Sequence, residues 1–261
     1  MLQLFKDLRH YRHALVTLFS VNVKTTVASA RLGWLWWFLD PLIMMAIYYF
    51  IIRVVFQRGG ENYHLFVLCG IVAWQFFARS LTAAVSAISK NRGIIRQTRT
   101  PMGLLIAVPC AVQLFFASVG ILIVMGWSYA TLGAQSLAVL PLLLLVFVIA
   151  YAVSLFVAVT QVFFADTAKL MTYGIRAGFF LSPVLYPTSR VLDADNIPAF
   201  AKLLFELNPM GWIIEAFRQV ILDGGIFNWL QYGVQLVLAL ILVQLGLIYL
   251  RLCSNRIVKM L

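Results

Sequence analysis

The sequence predicts an all-α integral membrane protein with six transmembrane helices, an N-terminal interfacial amphipathic helix, a re-entrant helical hairpin between spans five and six, and both termini in the cytoplasm. Three observations predict it. Hydrophobic residues make up 63% of the 261 positions and charged residues only 11%, so a water-soluble fold would lack the polar residues to cover its surface. Apolar runs near Leu35 to Phe56, Leu65 to Ile88, Leu104 to Ala130, Leu137 to Phe164, Leu170 to Leu185 and Trp229 to Tyr249 are long enough for a hydrocarbon core of about 30 Å. The third observation is the unequal placing of positive charge on alternate connections.

The first element is the segment 1–33. Leu4, Leu8, Tyr11, Leu15 and Leu18 recur at spacings of three and four, with Lys6, Arg9, His10 and His13 on the other side. That pattern describes a helix lying in the membrane interface, its cations toward lipid head groups. The basic start, the run "ALVTLFSVNV" and the later "ASA" imitate a cleavable signal. Lys24 and several polar residues interrupt the apolar core that such a signal needs, so the interfacial helix is the better reading.

Residues 34–261 form one transmembrane domain, with no tandem repeat, Ser/Gly linker or low-complexity tract. Span one opens on Trp34, Trp36, Trp37 and Phe38 and carries Asp40 just before Pro41; span two contains Arg79; span five is the shortest and is interrupted by Arg176. Charges at such depths cost several kcal/mol when unpaired, and Asp40 can pair with Arg31 or Arg176.

Fourteen cations fall on one face: Lys6, Arg9, Arg12, Lys24 and Arg31; Lys90, Arg92, Arg96 and Arg99; Lys169 and Arg176; Arg251, Arg256 and Lys259. Against them stand Arg53, Arg58, Arg190, Lys202 and Arg218, which share their face with Glu61, Asp193, Asp195, Glu206, Glu215 and Asp223. The bias puts both ends inside. The net charge of +11 is therefore a topological signal, and nucleic acid is not an expected partner. Cys69, Cys110 and Cys253 are scattered among apolar runs, and His10, His13 and His64 are equally dispersed, so packing is expected of the cysteines and no metal site.

Between spans five and six, within 188–225, "IPAFAKLLFEL" and "PMGWIIEAFRQVIL" meet at Asn208 and Pro209. Asn208 suits an N-cap, Pro209 the first helical position and Gly224 the far end. A helix from Pro209 to Leu222 would be about 21 Å long, too short to cross about 30 Å of hydrocarbon. Glu215 and Arg218, three apart, can pair on one face. Two readings stand: a gate over a pathway on the outer face, or an amphipathic cover resting on the surface.

The order of these features resembles the membrane subunit of ATP-binding-cassette exporters for bacterial polysaccharides, which serve O-antigen, capsule and teichoic-acid export. The likeness rests on the basic N-terminus, "RLGWLWWFLDPL" before span one, a basic bend after span two, "LSPVLYP" ending span five and "LNPMGWIIEAFRQVIL" before span six, and it covers nearly the whole chain. Where many relatives carry an Arg-Asp pair after span four, "FFADT" has Ala165 before Asp166. The resemblance implies a permease that works as a homodimer with two separate nucleotide-binding ATPase subunits and exports a lipid-linked polysaccharide through the bacterial inner membrane. ATP and Mg would belong to the partner subunits, with no cofactor in this chain; the sequence contains no G-x-x-x-x-G-K-[ST] phosphate loop.

Each candidate site has a bland counterpart. Residues 89–101, "SKNRGIIRQTRTP", offer a docking surface in which Ile94 and Ile95 fill a partner's groove while Asn91, Arg92, Arg96 and Arg99 meet its rim; plain positive-inside retention explains the charges equally well. Asp166 and Lys169 form a smaller candidate. Arg31, Trp34, Trp36, Trp37 and Arg176 can hold the head group of a lipid-linked donor by bidentate and stacking contacts, against an aromatic belt with snorkelling cations. Tyr48, Tyr49, Trp74, Phe76 and Phe77 can line a glycan pathway, since aromatic faces stack on sugar rings, or pack the interior. Pro183, Tyr186, Asn208, Pro209, Trp212, Glu215 and Arg218 compose the expected gate. No nucleophile sits beside a base, so no catalytic residue is assigned. A secondary transporter would need midplane ionisable residues and often an inverted repeat; a membrane glycan or lipid transferase would need an acidic or metal-binding cluster, and the sequence displays neither.

Overall fold

A computed structural model describes residues 9–28, 33–60, 62–98, 100–128, 133–195 and 197–260, and every regular element among them is helical. Helix α1 spans Arg12–Ala28; Leu4, Lys6 and Leu8 of the expected interfacial stripe lie outside the described residues. A 3₁₀ turn, Gly33–Leu35, leads into α2, Trp36–Tyr49, which loosens into a π-helical turn over Phe50–Val55. Then come α3 (Tyr63–Ala84), the short α4 (Ala87–Lys90) and α5 (Arg92–Gln97), and α6 (Met102–Trp127). A 3₁₀ turn at Ala134–Ala138 enters α7 (Val139–Phe163), followed by α8 (Thr167–Leu181), α9 (Ser189–Leu192), α10 (Ala199–Glu206), α11 (Pro209–Ile221) and α12 (Trp229–Met260).

Five segments among the described residues are long and apolar enough to cross a membrane: Trp36–Val55, Tyr63–Ala84, Met102–Trp127, Ser136–Phe163 and Trp229–Met260. The run near Leu170 to Leu185, expected as a further span, is only partly helical. Helix α8 has 15 residues, about 22 Å at 1.5 Å each, less than the roughly 30 Å hydrocarbon core. It stops at Leu181 because Ser182 precedes Pro183: the proline ring pushes the preceding residue out of the α region, and Ser182 is extended at φ −107°, ψ 152°. Helix α12 errs the other way. Its 32 residues reach about 48 Å, so its basic last turns continue well beyond any hydrocarbon slab.

Helices α3 and α7 form the centre. The first is buried along 72% of its most apolar window, whereas the window of α2 is only 6% buried; Ile43, Ile47, Phe50 and Val54 of that segment are exposed, as a lipid-facing or subunit-facing wall requires. Helix α7 packs on α12, α3 and α6. Where α12 crosses α7, a β-carbon on Gly246 would stand 2.8 Å from the Leu155 β-carbon, so the crossing distance depends on a residue without one.

Buried side chains fall into two clusters. The first joins α3, α6 and α7 to α11 through Ile71, Trp74, Ile121, Leu142, Ile213 and Phe217. The second sits toward the opposite end, where Ala84, Ile88, Ile106, Leu155 and Ile257 bring α4, α6, α7 and α12 together. Cys69 belongs to the first and Cys110 to the second. Residues 56–60, 133–138, 182–195 and 197–228 thus share one end of the bundle, and 85–98 with 164–166 the other.

Candidate functional site

The end of the bundle that carries 182–228 is closed by α10 and α11, which meet at a sharp corner. Asn208 sits there with β backbone geometry (φ −73°, ψ 109°) and its Oδ1 accepts from Met210 N at 3.0 Å, while Pro209 occupies the first helical position. Its amide nitrogen donates to Ser182 Oγ at 2.8 Å and to Leu181 O at 3.3 Å, so the capping residue also ties the corner to the end of α8. At the other end of α11 the chain turns at Gly224 (φ +61°), in the left-handed region that glycine enters freely. The Gly225 amide then reaches back to Gln219 O at 2.9 Å.

One cation organises this roof. Arg218 is 2% exposed; its Nη2 donates to Val184 O at 2.7 Å, its Nε to Phe66 O at 3.2 Å and its Nη1 to Glu215 Oε2 at 3.4 Å. The guanidinium also lies 3.4 Å over the Phe66 ring, a cation–π contact. Glu215 uses its second oxygen on the strap from α8: Oε1 accepts from both the amide and the hydroxyl of Thr188 at 2.8 Å. Tyr63 completes the seam by donating to Leu185 O at 2.8 Å. A single fork-shaped group therefore holds three separate pieces: the start of α3, the 182–188 strap and α11. Pro183 is buried beside Gly211, Tyr186 stacks on Phe205 and Trp212 lies against Phe227. All seven residues expected at a gate thus lie in this one assembly.

A second charged cluster sits deeper. Arg79 of α3 pairs with Asp40 of α2, whose Oδ2 also accepts from Gln75 Nε2 at 3.0 Å. The guanidinium stands 4.6 Å over the Trp37 ring, and Trp37 stacks on Phe116 at 3.8 Å with the planes 4° apart. Arg79 is thus the partner of Asp40, in place of the Arg31 or Arg176 considered from sequence. The reason is geometric: Asp40 lies one turn into α2, and α3 passes beside it. Arg176 is exposed on α8, and Arg31 lies outside the described residues.

The expected head-group and pathway residues are spread out. Trp36 is exposed, Trp37 is committed to the stack just described, and the Trp34 side chain is not among those described. The cavity beside Trp37, Gln75 and Arg79 has a volume of about 30 Å³, room for water and too small for a sugar ring. Trp74 and Phe76 are core residues, whereas Tyr48, Tyr49 and Phe77 are half-buried. Tyr48 stacks on Phe179, and Trp74 meets the same ring edge-on.

At the far end, Asn91 joins α4 to α5 and donates to Ala87 O at 2.8 Å. Arg92 and Arg96 are exposed, Ile94 is half-exposed and Ile95 turns inward onto the second cluster; Arg99 lies outside the described residues. Asp166 and Lys169 form an exposed ion pair at 3.4 Å.

Sequence reasoning missed the residues that cradle the Arg218–Glu215 pair: Phe66, Gly70 and Val184 around the guanidinium, and Thr188 on the carboxylate. Three of them act through backbone atoms or the want of a side chain, which composition does not reveal. A charged pair, Glu215 with Arg218, in an otherwise apolar helix was the available signal.

A family model for ABC-2 type transporters matches residues 13–222 of the chain. Among curated relatives, an O-antigen export system permease protein of Myxococcus xanthus is 27% identical over 223 residues, 84% of each chain. A protein of the same description from Klebsiella pneumoniae is 27% identical over 240 residues, 89% of each chain. A polysialic acid transport protein of Escherichia coli is 23% identical over 239 residues, 88% of this chain and 89% of its own.

Proposed function

The chain belongs to the ABC-2 type transporter family of membrane proteins, and from that premise we propose that it is the membrane subunit of an ATP-driven exporter of a lipid-linked polysaccharide, of O-antigen type first and of capsule or teichoic-acid type next. The observation that carries the reading is likeness from end to end: relatives named for O-antigen export and polysialic acid transport align over 84–89% of both chains. The site is the bacterial inner membrane, with both termini and the 89–101 segment in the cytoplasm, as the bias in positive charge supports. Helix α8 with the strap that follows it makes the sixth crossing.

Two copies of the chain flank the path, and two nucleotide-binding subunits supply ATP and Mg. These press on Asn91, Arg92, Ile94, Arg96 and Arg99, with Asp166 and Lys169 as a second point of contact; Ile95, packed on the second cluster, anchors the segment from within. Arg31, Trp34, Trp36 and Arg176 receive the head group on the inner side, with Trp37 held back in its stack on Phe116; the half-buried Tyr48, Tyr49 and Phe77 surround the path, and Trp74 and Phe76 pack behind them in the core. The hairpin of α10 and α11 dips back from the outer face as the gate. Supporting the gate over a passive cover is the Arg218 clamp: a loose cover would need no buried cation joining three segments, whereas a part that moves as one body does.

The test is removal of the gene from its host, with surface glycan and the lipid-linked precursor measured together. Loss of surface glycan with accumulation of the precursor inside, restored by this chain expressed with its neighbouring ATPase, is the expected result. Normal surface glycan in the deletion strain would sink the export reading.

A further inference from the structure

We infer that the cleft under α1 is a binding site for one bilayer glycerophospholipid with a primary ammonium head group. This does not rest on the export reading. Two neighbouring cavities lie there. The first, about 380 Å³, lies between α1, α4 and α6 and is lined by Asn22, Thr25, Lys90, Asn91, Leu105 and Pro109 among others. The second, about 260 Å³, runs on between α1, α6 and α7 and is lined by Leu15, Phe19, Leu104, Ala107, Ala111 and Phe147 among others. Val108 lines both walls, so the polar chamber and the apolar slot lie side by side beneath α1, and one amphipathic ligand can occupy both.

The chamber's chemistry identifies the head group. Thr25 spends its hydroxyl hydrogen on Val21 O, while Asn22 and Asn91 each spend one of two amide hydrogens, on Leu18 O and Ala87 O. What these side chains offer the chamber is therefore mainly oxygen, with one further amide hydrogen on each asparagine. Pro109 lies inside α6 and has no N–H for the carbonyl of Leu105, one turn earlier, which adds a backbone acceptor. Among the described residues Lys90 is the one cation in the wall. A wall rich in oxygens, with two amide hydrogens and a single cation, suits a group that has N–H donors at its tip and a phosphate behind it. A primary ammonium donates three hydrogen bonds to the oxygens while the phosphate pairs with Lys90. A choline head group has no N–H to donate, so the site discriminates between two lipids of equal net charge. The slot takes an acyl chain, since its wall offers only aliphatic and aromatic surface.

The cleft thus places a lipid as the third partner in the contact between α1 and α6. Bound lipid would hold α1 at a fixed depth, whatever passes through the protein.

The experiment uses the full chain in nanodiscs of equimolar dioleoyl-phosphatidylethanolamine and dioleoyl-phosphatidylcholine, with retained lipid read by native mass spectrometry after transfer to detergent. Phosphatidylethanolamine should be retained in preference by about tenfold, the scale of one charge-assisted hydrogen bond. Lys90→Gln, an exposed position whose change leaves the fold intact, should weaken retention several-fold. Ala107→Trp should abolish it by filling the slot, while Leu245→Trp on the exposed face of α12 should leave it unchanged. Equal retention of the two lipids, or an unaltered signal in both Lys90→Gln and Ala107→Trp, overturns the site. Displacement of the phospholipid by an equal amount of polyprenyl pyrophosphate would also overturn it, by assigning the cleft to a different ligand.

Discussion

Arg218 and Gly70 are in such close contact that a β-carbon on Gly70 would come within 2.7 Å of Arg218 Nη2 and 2.9 Å of the Val184 carbonyl oxygen. The guanidinium and the strap occupy the space that any other residue at position 70 would fill. Gly70→Ala should therefore destabilise the roof even though it adds one methyl group to the middle of a helix, where alanine is otherwise preferred. Overpacking of this kind costs about 1–3 kcal/mol, more than the ~1 kcal/mol gained in helix propensity. Thermal unfolding in detergent should show a lower midpoint for Gly70→Ala; an unchanged or higher midpoint would mean the strap can yield.

Arg218 itself should not tolerate lysine. Lysine keeps the charge but cannot serve Phe66 O, Val184 O and Glu215 together, because these need a planar fork. A hydrogen bond from a charged group contributes about 1.5–3 kcal/mol, so losing even one buried contact should be measurable. Arg218→Lys is expected to lower the unfolding midpoint and to make the 182–188 strap accessible to protease. Glu215→Gln should do less, since Glu215 is partly exposed and the neutral amide still accepts from Thr188.

How far these relationships were legible depends on whether a side chain or the backbone carries them. The hairpin corner was readable because Asn208, Pro209 and Gly224 each advertise a backbone state, and the chain adopts all three. The pairing of Glu215 with Arg218 followed from their spacing. The rest of the Arg218 cradle was not readable, because Phe66 and Val184 contribute carbonyls and Gly70 an absence. Asp40 was recognised as a costly charge, but its partner depended on which helix lies beside α2, a tertiary fact that hydropathy does not encode. The end of α8 was misjudged for another reason: an apolar count ran through Ser182 and Pro183, although the local rule before proline predicts a stop.

Asp40 and Arg79 should behave as a coupled pair. Their side chains are 47% and 29% exposed, so the pair is only partly desolvated and its energy is well below that of a fully buried bridge. Removing one member still leaves the other at membrane depth, where insertion scales put a lone charge at about 2.5–3.5 kcal/mol. Asp40→Asn and Arg79→Gln should each reduce stability, and the double variant should be less damaged than the sum of the two. A double-mutant cycle on unfolding midpoints tests this; strict additivity would show that Gln75 and Trp37, and not the ion pair, hold the cluster.

The proposed docking of segment 89–101 makes the last prediction, and the structure narrows which residue to change. Ile95 faces inward onto the second cluster, so altering it would confuse docking with folding. Ile94 is half-exposed and stands beside exposed Arg96, an apolar anchor with a charged rim. Ile94→Asp with Arg96→Glu should leave the lone chain's unfolding midpoint within error while weakening its association with the nucleotide-binding subunit. Truncating an interface anchor costs about 2 kcal/mol or more, so the affinity should fall at least about thirtyfold. Reversing a rim charge should also slow association and reduce its salt dependence. Co-purification in membranes that matches wild type, with an unaltered rate of association, would return the four cations of this segment to their simpler role of fixing orientation.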